Sequence, residues 1–285
     1  MGPMDIPGNL VSDSSLVQET FELVRQYGGR VSASEIAHAV FRLSHADELV
    51  ASALVADLLR NDPRFQIDGS SIAIVLDEFE NRPLDQNEFV VLDVEAAHGR
   101  SLPPKIIEIG AYRVCSGQIV DEFQTLVNPE LPVPAFITSL TGITNQMLRN
   151  APTFPNVARD WLWFAGDAIL VAHNTAFDLP LLNREIARVF PGYRMRNLDL
   201  CTVKLARRLI PDLDGHNLDS LATHFDIPIT SRHRAAADAH ATAQILIRLL
   251  SQLEDHGVPT LAAARVFSVN GAPGAVGDVQ LTLGV

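Results

Sequence analysis

The chain has 285 residues, 47% of them hydrophobic and 20% charged, with a formal net charge of −12. That length suits one large or two ordinary domains, and the composition is that of a globular protein with enough apolar matter for a core. The negative total argues against a protein that coats nucleic acid by bulk attraction, and no apolar run reaches the roughly 18 residues of a membrane span.

In chain order, residues 1–13 are expected to be a disordered leader or tag remnant, with Met1-Gly2-Pro3-Met4 at their start. The only cysteines, Cys115 and Cys201, form neither a metal spacing nor a disulfide framework. With no signal peptide recognisable, the cytoplasm is the expected compartment. Between 14 and 78, apolar periodicity predicts helices near Ser15–Tyr27, from an N-cap at Ser34, and near Ala46–Arg60. "FQIDGSSIAIV" then alternates around Asp68-Gly69, which predicts a hairpin. Three short helices followed by a hairpin resemble a winged helix in pattern. The third helix carries Asp47, Glu48 and Asp57 against Arg60, which would repel phosphates, so protein docking or dimerisation suits this segment better than DNA binding. Its Leu49, Val50, Leu54, Val55 and Leu58 are read chiefly as core.

Residues 79–87, polar and holding Pro83, read as a linker. From 88 to 256 strands and helices alternate. Phe89–Asp93, Ile106–Val114, Gln118–Val127 and Ala168–Ala172 read as strands. Helices are predicted near Pro155–Phe164, Leu179–Val189, Cys201–Leu209, Leu218–Phe225 and Ala235–Leu253. Antiparallel strands first, then strand–helix alternation, predict an α/β domain with a mixed sheet flanked by helices. Residues 257–285, rich in Gly, Ala and Val, read as a tail, or as the start of a further domain.

Charge is unevenly distributed. Residues 1–86 hold 14 acidic and 6 basic side chains, net −8, and residues 87–256 hold 19 and 15, net −4. In 184–208 the sign reverses: Arg184, Arg188, Arg194, Arg196, Lys204, Arg207 and Arg208 face only Glu185 and Asp199.

Three carboxylate stretches carry chemistry. In "FVVLDVEAAHG" an apolar strand runs into Asp93 and Glu95, which share a face at i and i+2. Two adjacent buried acids repel, and a hard cation such as Mg²⁺ or Mn²⁺ would compensate; alternatively the strand ends at solvent and both are hydrated. In "LVAHNTAFDLPLL" Asp178 lies just before Pro180, at the start of a helix, where it is either a ligand or an ordinary N-cap. In "HRAAADAHATAQILIRLL" Asp238 shares a helical face with Ile245, Leu246 and Leu249, and His233 precedes that helix.

D-x-E, then H-N-x-x-F-D, then H-x-x-x-x-D resembles the DEDD exonuclease superfamily in its histidine-containing branch. That group includes the proofreading epsilon subunit of DNA polymerase III, RNase T and oligoribonuclease. "PPKIIEIGAYRV", "LTGIT", "NLDLCTVKLAR" and "HNLDSLATHFDI" also look like the family, and the likeness covers about 88–253. The resemblance implies an RNase H-like fold, preceded here by the small winged-helix-like α+β domain.

It further implies a 3′–5′ exonuclease that uses two Mg²⁺ or Mn²⁺ ions and releases 5′-mononucleotides from single-stranded DNA, with RNA as the alternative substrate. Asp93, Glu95, Asp178 and Asp238 would hold the ions and His233 would be the base, a task imidazole commonly performs. Contacts to the terminal nucleotide are implied for Ala96, Ala97, His98, Leu140, Thr141, Ile143, His173, Asn174, Phe177, Arg232 and Arg234. The run 184–208 could follow the strand behind it. One departure stands out: family members often carry Thr after the first Glu, where this chain has Ala96-Ala97-His98, so no hydroxyl meets the substrate there. An inactive scaffold protein of the same fold is the competing reading. A protein partner is expected through the N-terminal domain, and no membrane.

Overall fold

A computed structural model describes residues 6–60, 62–75, 81–97 and 103–270. The chain divides into two compact units, one of residues 1–78 with 183–196, the other of residues 79–182 with 197–285.

The first unit opens with β1 (Leu10–Ser12) and α1 (Ser15–Gln26). Residues 1–13 are therefore not uniformly a loose leader: Leu10 and Val11 are buried, and β1 pairs antiparallel with Tyr193–Met195 of the same unit. Next come β2 (Arg30–Ser32), α2 (Ala33–Ala39), α3 (Glu48–Leu59), β3 (Phe65–Asp68) and β4 (Ser71–Ile74). These strands form an antiparallel sheet ordered β2-β4-β3. The β3–β4 turn runs through Gly69 at φ +59°, a conformation glycine adopts freely. The cap of α2 is Ser32, two residues before the expected Ser34, because Glu35 completes a capping box with Ser32. In α3, Ala51, Val55 and Leu59 recur at intervals of four and enter the core. Leu49, Val50 and Leu54, expected there too, are 81%, 52% and 41% exposed. Apolar residues lie on more than one face of the helix, and only one of those faces meets the core.

In the second unit, β5 (Glu88–Ala97), β6 (Lys105–Cys115) and β7 (Gln118–Leu126) form an antiparallel meander. The helices α4 (Ala135–Thr141), α5 (Asn145–Leu148) and α6 (Phe154–Ala165) follow, then β8 (Ile169–Ala172) and α7 (Thr175–Val189). The chain then gives β9 (Tyr193–Met195), the partner of β1, and returns through β10 (Asp199–Cys201), α8 (Thr202–Leu209), α9 (Leu218–His224), α10 (Ala235–Asp255) and α11 (Leu261–Asn270). The sheet order is β10-β8-β5-β6-β7, with β10, β8 and β5 parallel and the rest antiparallel. This is the expected mixed sheet.

One sheet face carries Phe89 and Val91 of β5, which pack with Ile245, Leu246 and Leu249 of α10. The opposite face carries Phe123 of β7, whose ring meets Trp161 and Phe164 of α6 at 5.8 and 5.4 Å. Helices thus cover both faces.

Three expectations need correction. Residues 81–87 are not a linker: a 3₁₀ turn at Leu84–Gln86 buries Leu84, whose N–H donates to the Pro259 carbonyl. The tail is not loose as far as Asn270, since Leu261, Ala264 and Phe267 of α11 join the core, an amphipathic pattern hidden by high Ala and Val content. Helix α7 begins at Thr175, four residues early, so Pro180 lies within its second turn. Among the described residues no helix is long and apolar enough to cross a membrane.

Candidate active site

Alternation along β5 explains how an apolar strand can end in acids. Phe89, Val91, Asp93 and Glu95 occupy one face at steps of two. The first two enter the core beneath α10, and the next two emerge beside the helix's first turn. β5 does not stop at Asp93 as expected but continues to Ala97, with a bulge between Glu95 and Ala96. Bulges often re-aim side chains beside functional sites. After the bulge Ala97 packs with Ile107, Ile137 and Ile143.

Helix α10 can approach because β6 has glycine at position 110, the cross-strand partner of Asp93. A Cβ there would lie 2.3 Å from the Ala236 nitrogen and 2.4 Å from the Ala235 carbonyl carbon. The close contact carries Asp238, in the first turn of α10, to Glu95. Side-chain ligand atoms of Glu95, His233 and Asp238 all lie within 4.8 Å of one another. His233 has φ +60°, an uncommon conformation for a residue with a side chain and of the kind that clusters at active sites. Asp238 Oδ2 accepts the His233 backbone N–H at 3.1 Å and a guanidinium N–H of Arg232.

Asp178 is buried in the first turn of α7, and its Oδ1 accepts the Val94 N–H at 3.2 Å, between Asp93 and Glu95. It is a fourth-position helical residue and not the N-cap. Burial pushes its carboxyl up to about 7 despite the backbone donor. Burial and then Asp238 and Glu108 raise Glu95 to about 8. Asp93 is raised well above the carboxylate range by burial and by the charges of Asp178, Glu95 and Asp238. Asp238 is raised as well, mainly by burial, with Arg232 opposing. Four acids whose ionised forms are all disfavoured form a site short of positive charge. Asp238 Oδ1 is buried without a hydrogen-bond partner. An all-oxygen set with an imidazole beside it suits a hard divalent cation, so the residues fit the ion the sequence called for.

The expected substrate contacts fare unevenly. Phe177 and Leu140 are 50% and 51% exposed. Asn174 is exposed. His98 lies outside the described residues. The side chains of Ile143 and Thr141 are buried: Ile143 is core, and the Thr141 hydroxyl bonds the Ile137 carbonyl and the Ile143 N–H. The side chains of Ala96 and Ala97 are also buried. The His173 Nδ1 pairs with the Thr202 hydroxyl at 3.0 Å, and burial lowers the ring to about 4, so it is neutral at pH 7.

Arg232 and Arg234 are partly exposed, but their guanidinium groups are already engaged by acids. Arg232 bridges Asp219 and Asp238, and Arg234 grips Glu108. In the basic run, Arg188 pairs with Glu185, Arg194 with Asp13, and Arg208 with the Val269 carbonyl. Arg184, Lys204 and Arg207 remain exposed. Sequence reasoning missed Glu108, Gly110, Asp219 and Thr202. Only Glu108, a carboxylate inside the apolar "IIEIG", gave a visible signal.

The profile of the Exonuclease family, that of RNase T, matches residues 90–246, more than half of the chain. The chain belongs to this exonuclease family. The DNA polymerase III PolC-type protein of Caldanaerobacter subterraneus is 40% identical over 177 residues, which are 62% of this chain and 12% of that protein. The DNA polymerase III subunit epsilon of Aquifex aeolicus is 39% identical over 165 residues, 58% of this chain and 81% of that subunit. The nuclease domain of 3′hExo, a DEDDh family member solved bound to rAMP, superposes with a TM-score of 0.50 at 21% identity. That match covers 60% of this chain and 94% of the domain, and it shows a shared fold. The exonuclease domain thus has the mixed α/β architecture of those enzymes, while the chain spans only about an eighth of the PolC-type relative's length.

Proposed function

We propose that the second unit is a divalent-metal-dependent 3′–5′ exonuclease that releases 5′-mononucleotides from single-stranded DNA. The observation that carries this is the convergence of Glu95, His233 and Asp238 within 4.8 Å, beside Asp93 and Asp178, in a chain of the exonuclease family. That both relatives are named as parts of DNA polymerase III favours DNA.

In this reading Asp93, Glu95, Asp178 and Asp238 would together hold the Mg²⁺ or Mn²⁺ ions. When bound, such ions supply positive charge against the phosphodiester as its transition state gathers negative charge. His233 accepts the proton of the attacking water, and Asp238 holds it in place through its backbone N–H. Phe177 and Leu140 flank the terminal base after it leaves its stack. His173 and Asn174 are read as further contacts to the terminal nucleotide, and the exposed Lys204 and Arg207 are candidates for phosphate contacts.

The first unit we read as a winged-helix-like module that docks protein, not DNA. Its three helices and antiparallel sheet support the pattern. Acidic Asp47, Glu48 and Asp57 beside exposed Leu49, Val50 and Leu54 on α3 support a protein partner. Its likeness to bacterial DNA polymerase III proteins supports reading its compartment as the cytoplasm.

The test uses DNA and RNA strands labelled at either end, incubated with Mg²⁺, Mn²⁺ or chelator. The expected result is metal-dependent shortening from the 3′ end with mononucleotide product and a preference for DNA. A 5′-first or endonucleolytic ladder would refute the reading, and an RNA preference would move the substrate to RNA.

A further inference from the structure

Arg234 and Glu108 form an ion pair that the proposed chemistry leaves unexplained. Glu108 is wholly buried on β6, directly across from Glu95 on β5. Like charges at facing positions of a sheet repel, and a buried carboxylate without a partner is costly. Arg234 Nε donates to Glu108 Oε2 at 3.0 Å and Arg234 Nη2 to Oε1 at 2.6 Å, a two-pronged grip. The remaining capacity of Oε2 takes the Ala235 backbone N–H at 2.9 Å. Ala235 is the first residue of α10, so Glu108 also satisfies one of the helix's unpaired amides.

The consequence for the site is mechanical. His233 precedes this anchored pair by one residue and Asp238 follows it by four. Next to Arg234, the Arg232 side chain is tied to Asp219 and Asp238. The uncommon backbone of His233 is therefore held between two immobilised arginines. Gly110, two residues along β6 from Glu108, admits the backbone of Ala235 and Ala236 against the strand. Anchor and clearance together fix the first turn of α10 over Asp93 and Glu95.

We infer that Glu108 and Arg234 are positioning residues for the active site. By pinning the start of α10 to β6, they set where His233 and Asp238 stand relative to Glu95, and Arg234 neutralises Glu108 so that Glu95 does not face a second uncompensated carboxylate. This rests on the exonuclease reading for its catalytic consequence and not for the geometry. Arg234 thereby changes from a substrate contact to a support.

The experiment compares full-length Glu108→Ala, Glu108→Gln and Arg234→Lys with the parent. It reads kcat and KM on a 3′-labelled DNA strand, and Mn²⁺ affinity by calorimetric titration without substrate. Melting temperature reports on folding. Loss of an outer support to metal ligands is expected to lower kcat and Mn²⁺ affinity by about 10–100-fold. KM should stay within about twofold in Arg234→Lys, whereas loss of a substrate contact would raise KM. Glu108→Gln, which keeps an acceptor for the Ala235 N–H, should recover part of what Glu108→Ala loses. Should Glu108→Ala fail to fold, Arg234→Lys decides, because it keeps the charge and loses only the two-pronged geometry. Parent-like kcat and Mn²⁺ affinity in Arg234→Lys, or a raised KM with kcat unchanged, would overturn the inference while leaving the exonuclease reading in place. If instead the parent trims no 3′ end, the exonuclease reading fails and the Mn²⁺ titrations alone decide the positioning role.

Discussion

Asp93 and Asp178 are both acids held above their ordinary pKa, yet their removal should affect the fold differently. Asp93 is repelled by Asp178, Glu95 and Asp238. Asp93→Ala relieves that repulsion and should leave the metal-free melting temperature at or above the parent's. Asp178→Ala leaves the Val94 N–H without its acceptor, at about 1–3 kcal/mol. Both should cut metal-dependent trimming by on the order of 10²–10³-fold or more, since each removes a ligand of the cations that offset the negative charge of the reacting phosphate. Trimming assays and melting curves on the same preparations check both halves; full activity in Asp93→Ala would remove the basis of the mechanism. The same electrostatics set a pH dependence. Glu95 rises from 4.5 to about 8 and Asp178 from 3.8 to about 7. Between those limits the folded protein binds protons that the unfolded chain has released, so stability falls as pH rises. In chelator, the melting temperature should be highest below about pH 4 as far as these two groups are concerned, and drop progressively towards pH 8. Saturating Mn²⁺ should remove most of that slope, because the cation takes the protons' place. A chelated protein whose melting point rises through this window would contradict it.

Helix α10 and strand β6 meet so closely that one hydrogen atom at position 110 decides the contact. Gly110→Ala puts a methyl group into the Ala235–Ala236 backbone, which cannot yield as a side chain would. Overpacking of this kind costs about 1–3 kcal/mol. A displacement of about 1 Å at the helix start can also cost on the order of 10²-fold in rate. The expected variant is folded, melts several degrees lower and trims about a hundredfold more slowly; a variant with parent-like kinetics would show that the first turn of α10 does not set the site. This contact also marks where sequence reasoning stops. Asp93, Glu95 and Asp238 were legible because period-2 and period-3.6 patterns put them on apolar faces, and the structure brings these three together. Gly110 was not, because a glycine in a strand signals close approach without saying what approaches. The ion pairs of Arg232 and Arg234 were not legible for a related reason. Their partners Asp219 and Glu108 lie 13 and 126 residues away in sequence, and no local pattern reports such a pairing. Helices α4 and α5 escaped notice because they are short and lie between prolines and glycine.

The division of the whole chain does not follow the sequence order that its composition suggested. A polar stretch at 79–87 looked like the boundary between an N-terminal domain and an exonuclease domain. The first compact unit instead includes residues 183–196, from the middle of the exonuclease stretch, with β9 paired to β1. Phe190 and Met195 of that segment are buried, as are Leu10 and Val11 from the chain's start. A fragment beginning at residue 79 therefore keeps every proposed ligand, the Glu108–Arg234 anchor and the five-stranded sheet, but loses the strand that β9 pairs with. Exposure of a strand edge and of apolar residues near it favours association between chains. The expected fragment melts below the full chain and elutes as aggregate in size-exclusion chromatography. Its monomeric fraction should still shorten 3′ ends at a rate within a few fold of the parent, because the site is built wholly from the second unit. A fragment as stable and monomeric as the full chain would show that the 183–196 segment does not need its N-terminal partner. A stable fragment without activity would show that the first unit supplies part of the site.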